Sequence, residues 1–218
     1  MLLRHGQTRW NLEKRFQGHT DIALDEIGHQ QAAAAALALQ VLAPARIVSS
    51  DLVRATATGE PLAHALGLDL ITDARLRETH GGQWEGKRDA DLAEADVELW
   101  EAWRHGADVP AGRDGESRTQ VGQRVAAAIV EHANDLKNED TLVVVTHGGS
   151  ANAAIGTLLG WPVEQWATLG GLINGHWAVL KPWYSASQSQ TRRSAPPADW
   201  RLAAYGVGPG AAAAQNRG

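Results

Sequence analysis

The sequence predicts an α/β fold: three layers, α/β/α, around a central, mostly parallel sheet. Two observations carry this. Helix-patterned segments rich in Ala, Leu and Gln alternate with short β-branched runs, the order that strand–helix units produce. One such run, residues 141–146 (TLVVVT), is almost continuously apolar, as expected of a central strand covered on both faces. The length fits one domain over residues 1–205. Residues 206–218 are low in complexity and are expected to be a disordered tail.

In chain order, residues 1–3 form a short strand ending before RHGQT at 4–8. Residues 7–21, polar with Trp10 and Phe16, form a loop or short helix. Asp25 is placed to cap a helix whose body, 30–42, is rich in good helix formers and is followed by Pro44. Residues 45–49 (ARIVS) form a buried strand, and Asp51 caps a helix running to about residue 65, with Arg54 in its first turn. A strand over 67–73 precedes a loop over 74–86 that holds Glu78. Residues 87–114 mix charges with Trp100 and Trp103. They are expected to form one or two solvent-facing helices inserted near the active site, with both tryptophans lining a lid. GES at 115–117 opens a helix to about 136, on which Val121, Val125 and Ile129 share one face. A helix over 149–159 follows the central strand and ends at Trp161-Pro162. Residues 177–180 and 200–204 pair as strands around a polar loop, 185–197. Trp84, Trp161 and Trp177 are expected to pack in the core.

Composition excludes several functional classes. With 44% hydrophobic and 21% charged residues, the chain has the make-up of a soluble globular protein. A net charge of −5 and scattered basic pairs argue against nucleic acid as a partner. The chain has no cysteine, hence no disulfide, thiolate nucleophile or cysteine metal site. Its longest apolar stretch, 32–43, is alanine-rich and broken by Gln40, too weak to span a membrane. A cytoplasmic protein without a membrane partner is expected. No two histidines lie three or four residues apart, so no helical zinc motif exists, and no metal is expected. No dinucleotide or P-loop glycine string follows a strand.

The chemistry converges on strand ends. RHGQT at 4–8 sets His5 where a strand turns into a loop, and VVVTHGG at 143–149 does the same for His147. Sites in open α/β sheets lie beyond the carboxyl ends of strands. With SSDLVRA at 49–55 and LRETHGGQWEG at 76–86, these segments resemble, in order, the histidine phosphatase superfamily of phosphoglycerate-mutase-like enzymes. The resemblance covers residues 2–160 best. It implies that His5 is the nucleophile and that Arg4, Arg54 and His147 hold the phosphoryl group. Glu78 would be the acid, Asn11 a further phosphate contact, and Gln17 and Gly18 the lining of the substrate entrance. It also implies that no metal or other cofactor is needed.

Within that family, GQWEG at 82–86 is the phosphatase form. The insertion sets Lys87, Arg88, Arg104 and Arg113 against a larger number of acids, which disfavours a second phosphate. RDGES at 113–117, LGG at 169–171 and WRL at 200–202 are similar to phosphatases acting on glucosyl-3-phosphoglycerate. The expected partner is therefore a small phosphorylated metabolite, a sugar acid of that kind. The alternatives are a broad-specificity acid-type phosphatase, a cofactor-dependent phosphoglycerate mutase, and a non-enzymatic phosphate-binding regulator. Apolar surface on the helices makes a homodimer the expected assembly.

Overall fold

The apolar run at Leu142–Thr146 forms strand β4, buried along nearly its whole length, and the sheet is built outward from it. The structure, a computed structural model, describes residues 1–183 and 199–210. On one side of β4 lies β1 (Leu2–Arg4), parallel to it, with Leu2 opposite Val144 and Arg4 opposite Thr146. On the other lies β2 (Arg46–Ser49), also parallel, followed by β3 (Leu70–Thr72) at the edge. Beyond β1 come two antiparallel strands, β5 (Trp177–Trp183) and β6 (Asp199–Val207). The six-stranded order is β3-β2-β4-β1-β5-β6.

Side chains alternate across the strands, so each face gathers its own core. Leu2, Val48 and Val144 face α6 (Arg118–Ala133) and α7 (Gly148–Leu158). Leu3, Ile47, Val143 and Val145 face α2 (Glu26–Leu39) and α3 (Val53–Leu66). The expected three-layer α/β/α arrangement is thus present. Between β1 and α2 lies α1 (Arg9–Leu12), a single turn capped by Thr8. Among the described residues, no helix is long and apolar enough to cross a membrane.

Several local expectations are corrected. Asp51 does not cap α3; its carboxylate is held by Arg77, at 2.7 and 2.5 Å, and the Val53 N–H is met instead by Asp21 at 2.8 Å. A bidentate guanidinium is a stronger partner for a carboxylate than one helix-end N–H. The strand expected over 67–73 is shorter, because Gly67 adopts φ +64° as the left-handed end of α3. The helix expected from residue 115 starts at Arg118, with Ser117 and Gln120 closing a reciprocal cap. Within the expected tail, Gly206 and Val207 belong to β6. The expected loop 185–197 and residues 211–218 lie outside the described residues.

The insertion differs most. Its helices α4 (Asp89–Ala95) and α5 (Val97–Arg104) do not simply face solvent. Trp100 and Trp103 turn inward and pack edge-on against Trp84, at 5.3 and 5.8 Å, with Phe16 alongside. They form a separate small core rather than the lining of a lid. Trp84 and Trp177 are buried, and Trp161 packs against the α6–α7 core. Removing the central ring, Trp84→Ala, is expected to cost about 3–5 kcal/mol, read as a lower urea midpoint with unchanged slope.

Candidate active site

Parallel neighbours end side by side, so β1, β2 and β4 deliver their next residues to one place: His5, Ser50 and His147. The two imidazoles meet edge-on with centroids 5.1 Å apart. His5 is buried, and its Nδ1 lies 2.6 Å from the Gly6 carbonyl. A carbonyl oxygen only accepts, so Nδ1 carries the hydrogen and Nε2 keeps the lone pair of the neutral ring. Burial pushes the His5 pKa well below the usual histidine value, and the charges of Arg54 and Arg4 push the same way, against the Gly6 hydrogen bond.

His147 is the N-terminal flank of α7 and is fully buried. Arg54 Nε donates to its Nδ1 at 3.2 Å, which leaves Nε2–H to donate to the Ser50 hydroxyl at 2.9 Å. Its pKa is also held well below the ordinary value, by burial first and then by Arg54, His5 and Arg4.

Arg54 has no solvent exposure and is held by backbone carbonyls, Gly18 at 2.8 Å and Thr20 at 2.9 Å. Burial lowers its pKa to about 10, opposed by Glu78, Asp21 and Glu85, so it stays cationic at neutral pH. Gly18 sits at φ +54°, and a β-carbon there would run into the Glu85 carboxylate. That carboxylate instead receives the N–H groups of His19 and Thr20, 2.8 and 2.9 Å away, and so shapes the loop carrying both carbonyls.

Arg4 donates from Nη1 to the Leu172 carbonyl. Its Nε is buried and meets no acceptor among the described residues, while Gly148 lies close against the guanidinium. Burial lowers the Arg4 pKa, and Glu78 and Tyr205 oppose this. The Glu78 carboxylate accepts from the N–H groups of Gly149 and Ser150, at 3.0 and 2.9 Å, the first turn of α7. Free N–H groups and the helix dipole make this a natural seat for an anion.

Asn11 and Gln17 meet at Thr8. The Asn11 carboxamide oxygen accepts from Thr8 N–H at 3.0 Å, and the Gln17 oxygen accepts from the Thr8 hydroxyl at 3.1 Å. Asn174 then ties Asn11 to the strand end, donating to Asn11 at 3.3 Å and to the His5 carbonyl at 2.9 Å. All eight residues singled out in the sequence therefore fall in one neighbourhood. Sequence reasoning passed over Ser50, Thr8 and Asn174. Thr8 alone carried a signal, because the pattern Thr-x-x-Asn just before a helical turn marks a cap.

Two buried neutral histidines make stability depend on pH. Below the ordinary histidine pKa of about 6.5, the unfolded chain binds protons that the folded rings refuse. Stability is therefore full above that pH and is lost as pH falls through the window beneath it. Each ring contributes a slope of up to about 1.4 kcal/mol per pH unit. A melting temperature that drops between pH 7.5 and 5.5 is the expected result; a flat profile would contradict the burial of neutral rings.

The model of the histidine phosphatase superfamily (branch 1) matches residues 1–192. A glucosyl-3-phosphoglycerate phosphatase from Mycobacterium tuberculosis is 39% identical over 214 residues, covering 93% of this chain and 91% of the relative. An Escherichia coli protein named "Probable phosphoglycerate mutase GpmB" is 39% identical over 168 residues, 76% of each chain. A solved structure of a mycobacterial glucosyl-3-phosphoglycerate phosphatase complexed with VO3 superposes with a TM-score of 0.82 at 36% identity, covering 94% of this chain and 97% of that one. The chain belongs to the histidine phosphatase superfamily.

Proposed function

We propose that this protein is a metal-independent phosphomonoesterase that works through a phosphohistidine on His5 and hydrolyses a small phosphorylated sugar acid, glucosyl-3-phosphoglycerate being the first candidate. The observation that carries this reading is the His5 ring itself. Its Nε2 holds a lone pair, and Arg4, Arg54 and His147 surround it. In the first step, Nε2 attacks phosphorus and the bond to the leaving oxygen breaks. Glu78, as the acid, gives that oxygen a proton. The ring then carries positive charge, which the Gly6 carbonyl at Nδ1 offsets. In the second step, water attacks phosphorus, loses a proton to the Glu78 carboxylate and displaces the neutral imidazole. The guanidiniums of Arg4 and Arg54 and the imidazole of His147 hold the nonbridging oxygens throughout, and the orphan Nε of Arg4 gives one such oxygen a ready donor. Asn11 adds a phosphate contact, and Gln17 and Gly18 shape the entrance.

The names of the mycobacterial relatives support the substrate, and their likeness spans nearly the whole chain. Hydrolysis is favoured over mutase chemistry because acids outnumber bases in the insertion, and one of those bases, Arg113, is paired with Asp96 at 2.7 Å. Exposed Leu37 near the end of α2, with Val41 and Leu42 just beyond it, supports a homodimer, whose mass sedimentation would read.

The test is inorganic phosphate release, with a chelator present, from glucosyl-3-phosphoglycerate, 3-phosphoglycerate and 4-nitrophenyl phosphate. A strong preference for the glucosylated substrate is expected. Equal slow hydrolysis of all three would reduce the reading to a broad-specificity phosphatase, and no release from any would overturn it.

A further inference from the structure

We propose that Arg124 is a positioning residue for Glu78, holding the backbone that carries it in register with the leaving group. This rests on the reading of Glu78 as the leaving-group acid. Glu78 lies on a stretch with little regular structure, and such stretches drift unless something fixes their polar backbone groups. Arg124, on α6, supplies that fixing. Its Nη1 donates to the carbonyls of Arg75 and Arg77, both at 2.8 Å, and its Nη2 to the carbonyl of Glu78 at 2.8 Å. Nε and Nη2 also grip the two oxygens of Glu116, at 2.6 and 2.7 Å. All five N–H donors of the guanidinium are thereby engaged, a pattern that the planar fork of arginine allows and an ammonium does not.

Glu116 extends the clamp past the acid. Its carboxylate receives the His80 N–H at 2.8 Å, and its own N–H donates to the His80 carbonyl at 2.9 Å. The chain is thus pinned just before Glu78, at it, and two residues after it. The Glu78 side chain is meanwhile seated on the first turn of α7. One helix holds the backbone of the acid and its neighbour holds the carboxylate, and α6 and α7 share one core. Misplacing a catalytic group by about 1 Å can cost about 10²-fold in rate, so a clamp on the backbone acts directly on turnover.

Proton donation matters most when the leaving oxygen is a poor leaving group. The experiment therefore compares glucosyl-3-phosphoglycerate, whose leaving group is an alkoxide, with 4-nitrophenyl phosphate, whose phenolate leaves unaided. The value read is kcat/KM, which reports the first step, for the parent, Glu78→Gln, Arg124→Ala and Glu116→Gln. Tryptophan fluorescence melts confirm that each variant is folded. Glu116→Gln keeps an acceptor for Arg124 and serves should Arg124→Ala not fold. The expected result for Arg124→Ala is a fall of about 10²-fold on the alkyl substrate and less than about fivefold on the aryl one. Glu78→Gln should share that signature, Glu116→Gln should show it more weakly, and added guanidinium should partly restore Arg124→Ala. Equal losses on both substrates for Arg124→Ala, with Glu78→Gln still selective, would overturn the clamp and leave the mechanism standing. Equal losses for Glu78→Gln would remove the acid role and the clamp together. A parent inactive on every phosphomonoester would overturn the proposed function itself.

Discussion

His5→Ala is expected to lower phosphate release by about 10⁴-fold or more while leaving inorganic phosphate binding within about tenfold. The asymmetry follows from the geometry. The groups that line the anion seat reach it from separate elements: Arg4 from β1, Arg54 from α3, His147 from the end of β4. None depends on the His5 ring for its own hydrogen bonds, since Arg54 rests on Gly18 and Thr20, and His147 on Arg54 and Ser50. Removing the ring is therefore expected to take away the proposed nucleophile and to spare the anion seat. Rapid-quench trapping on an alkaline gel should show labelled protein for the parent and none for the variant. Substantial turnover by His5→Ala would mean that water attacks phosphorus directly, and the covalent route would fall.

Arg54→Ala is the second large effect, a loss of about 10³-fold in kcat/KM. Arg54 carries three duties at once. It presents a cation in a buried site, orders the entrance loop through the carbonyls of Gly18 and Thr20, and fixes the tautomer of His147. After burial, its charge is also the largest cause holding both histidines neutral. Without it, both imidazoles take up protons more easily, so the acidic limb of the pH–rate profile should move to higher pH. Arg54→Lys keeps the charge and should shift that limb less than alanine does, though one ammonium cannot span the three acceptors. An unmoved acidic limb in Arg54→Ala would show that burial and Arg4 suffice to keep the rings neutral.

Much of this was legible in the sequence, and the physical reason is locality. The order of helices and strands follows from apolar periodicity, and a β-branched run as continuous as TLVVVT admits few other readings. His5 and His147 stood out because a strand end followed by glycine fixes where a side chain goes without knowledge of its partners. The misreadings share the opposite property. Asp51 looked like a cap because caps are local, yet its partner, Arg77, lies in another loop. Trp100 and Trp103 signalled burial but not against what, and Trp84 was not visibly their neighbour. Ser50, Asn174 and Arg124 are single polar residues whose partners are remote in the chain, so no pattern of spacing announces them. Arg124 in particular sits in an ordinary amphipathic helix, where a solvated cation is the default reading.

The placement of β1 has a consequence for how the protein is made. Leu2 pairs with Val144 on one side and with Ala178 on the other, so the first strand of the chain is completed only by segments that emerge late from the ribosome. Closing so long a loop costs entropy before any contact repays it, which makes this pairing slow. Until β4 appears, a nascent chain holds His5 on an unpaired edge with neither His147 nor the α7 amides nearby. On the proposed mechanism the chemistry would switch on only when the fold is nearly whole, and truncated chains released before that point would carry the RHGQT sequence without its reactivity.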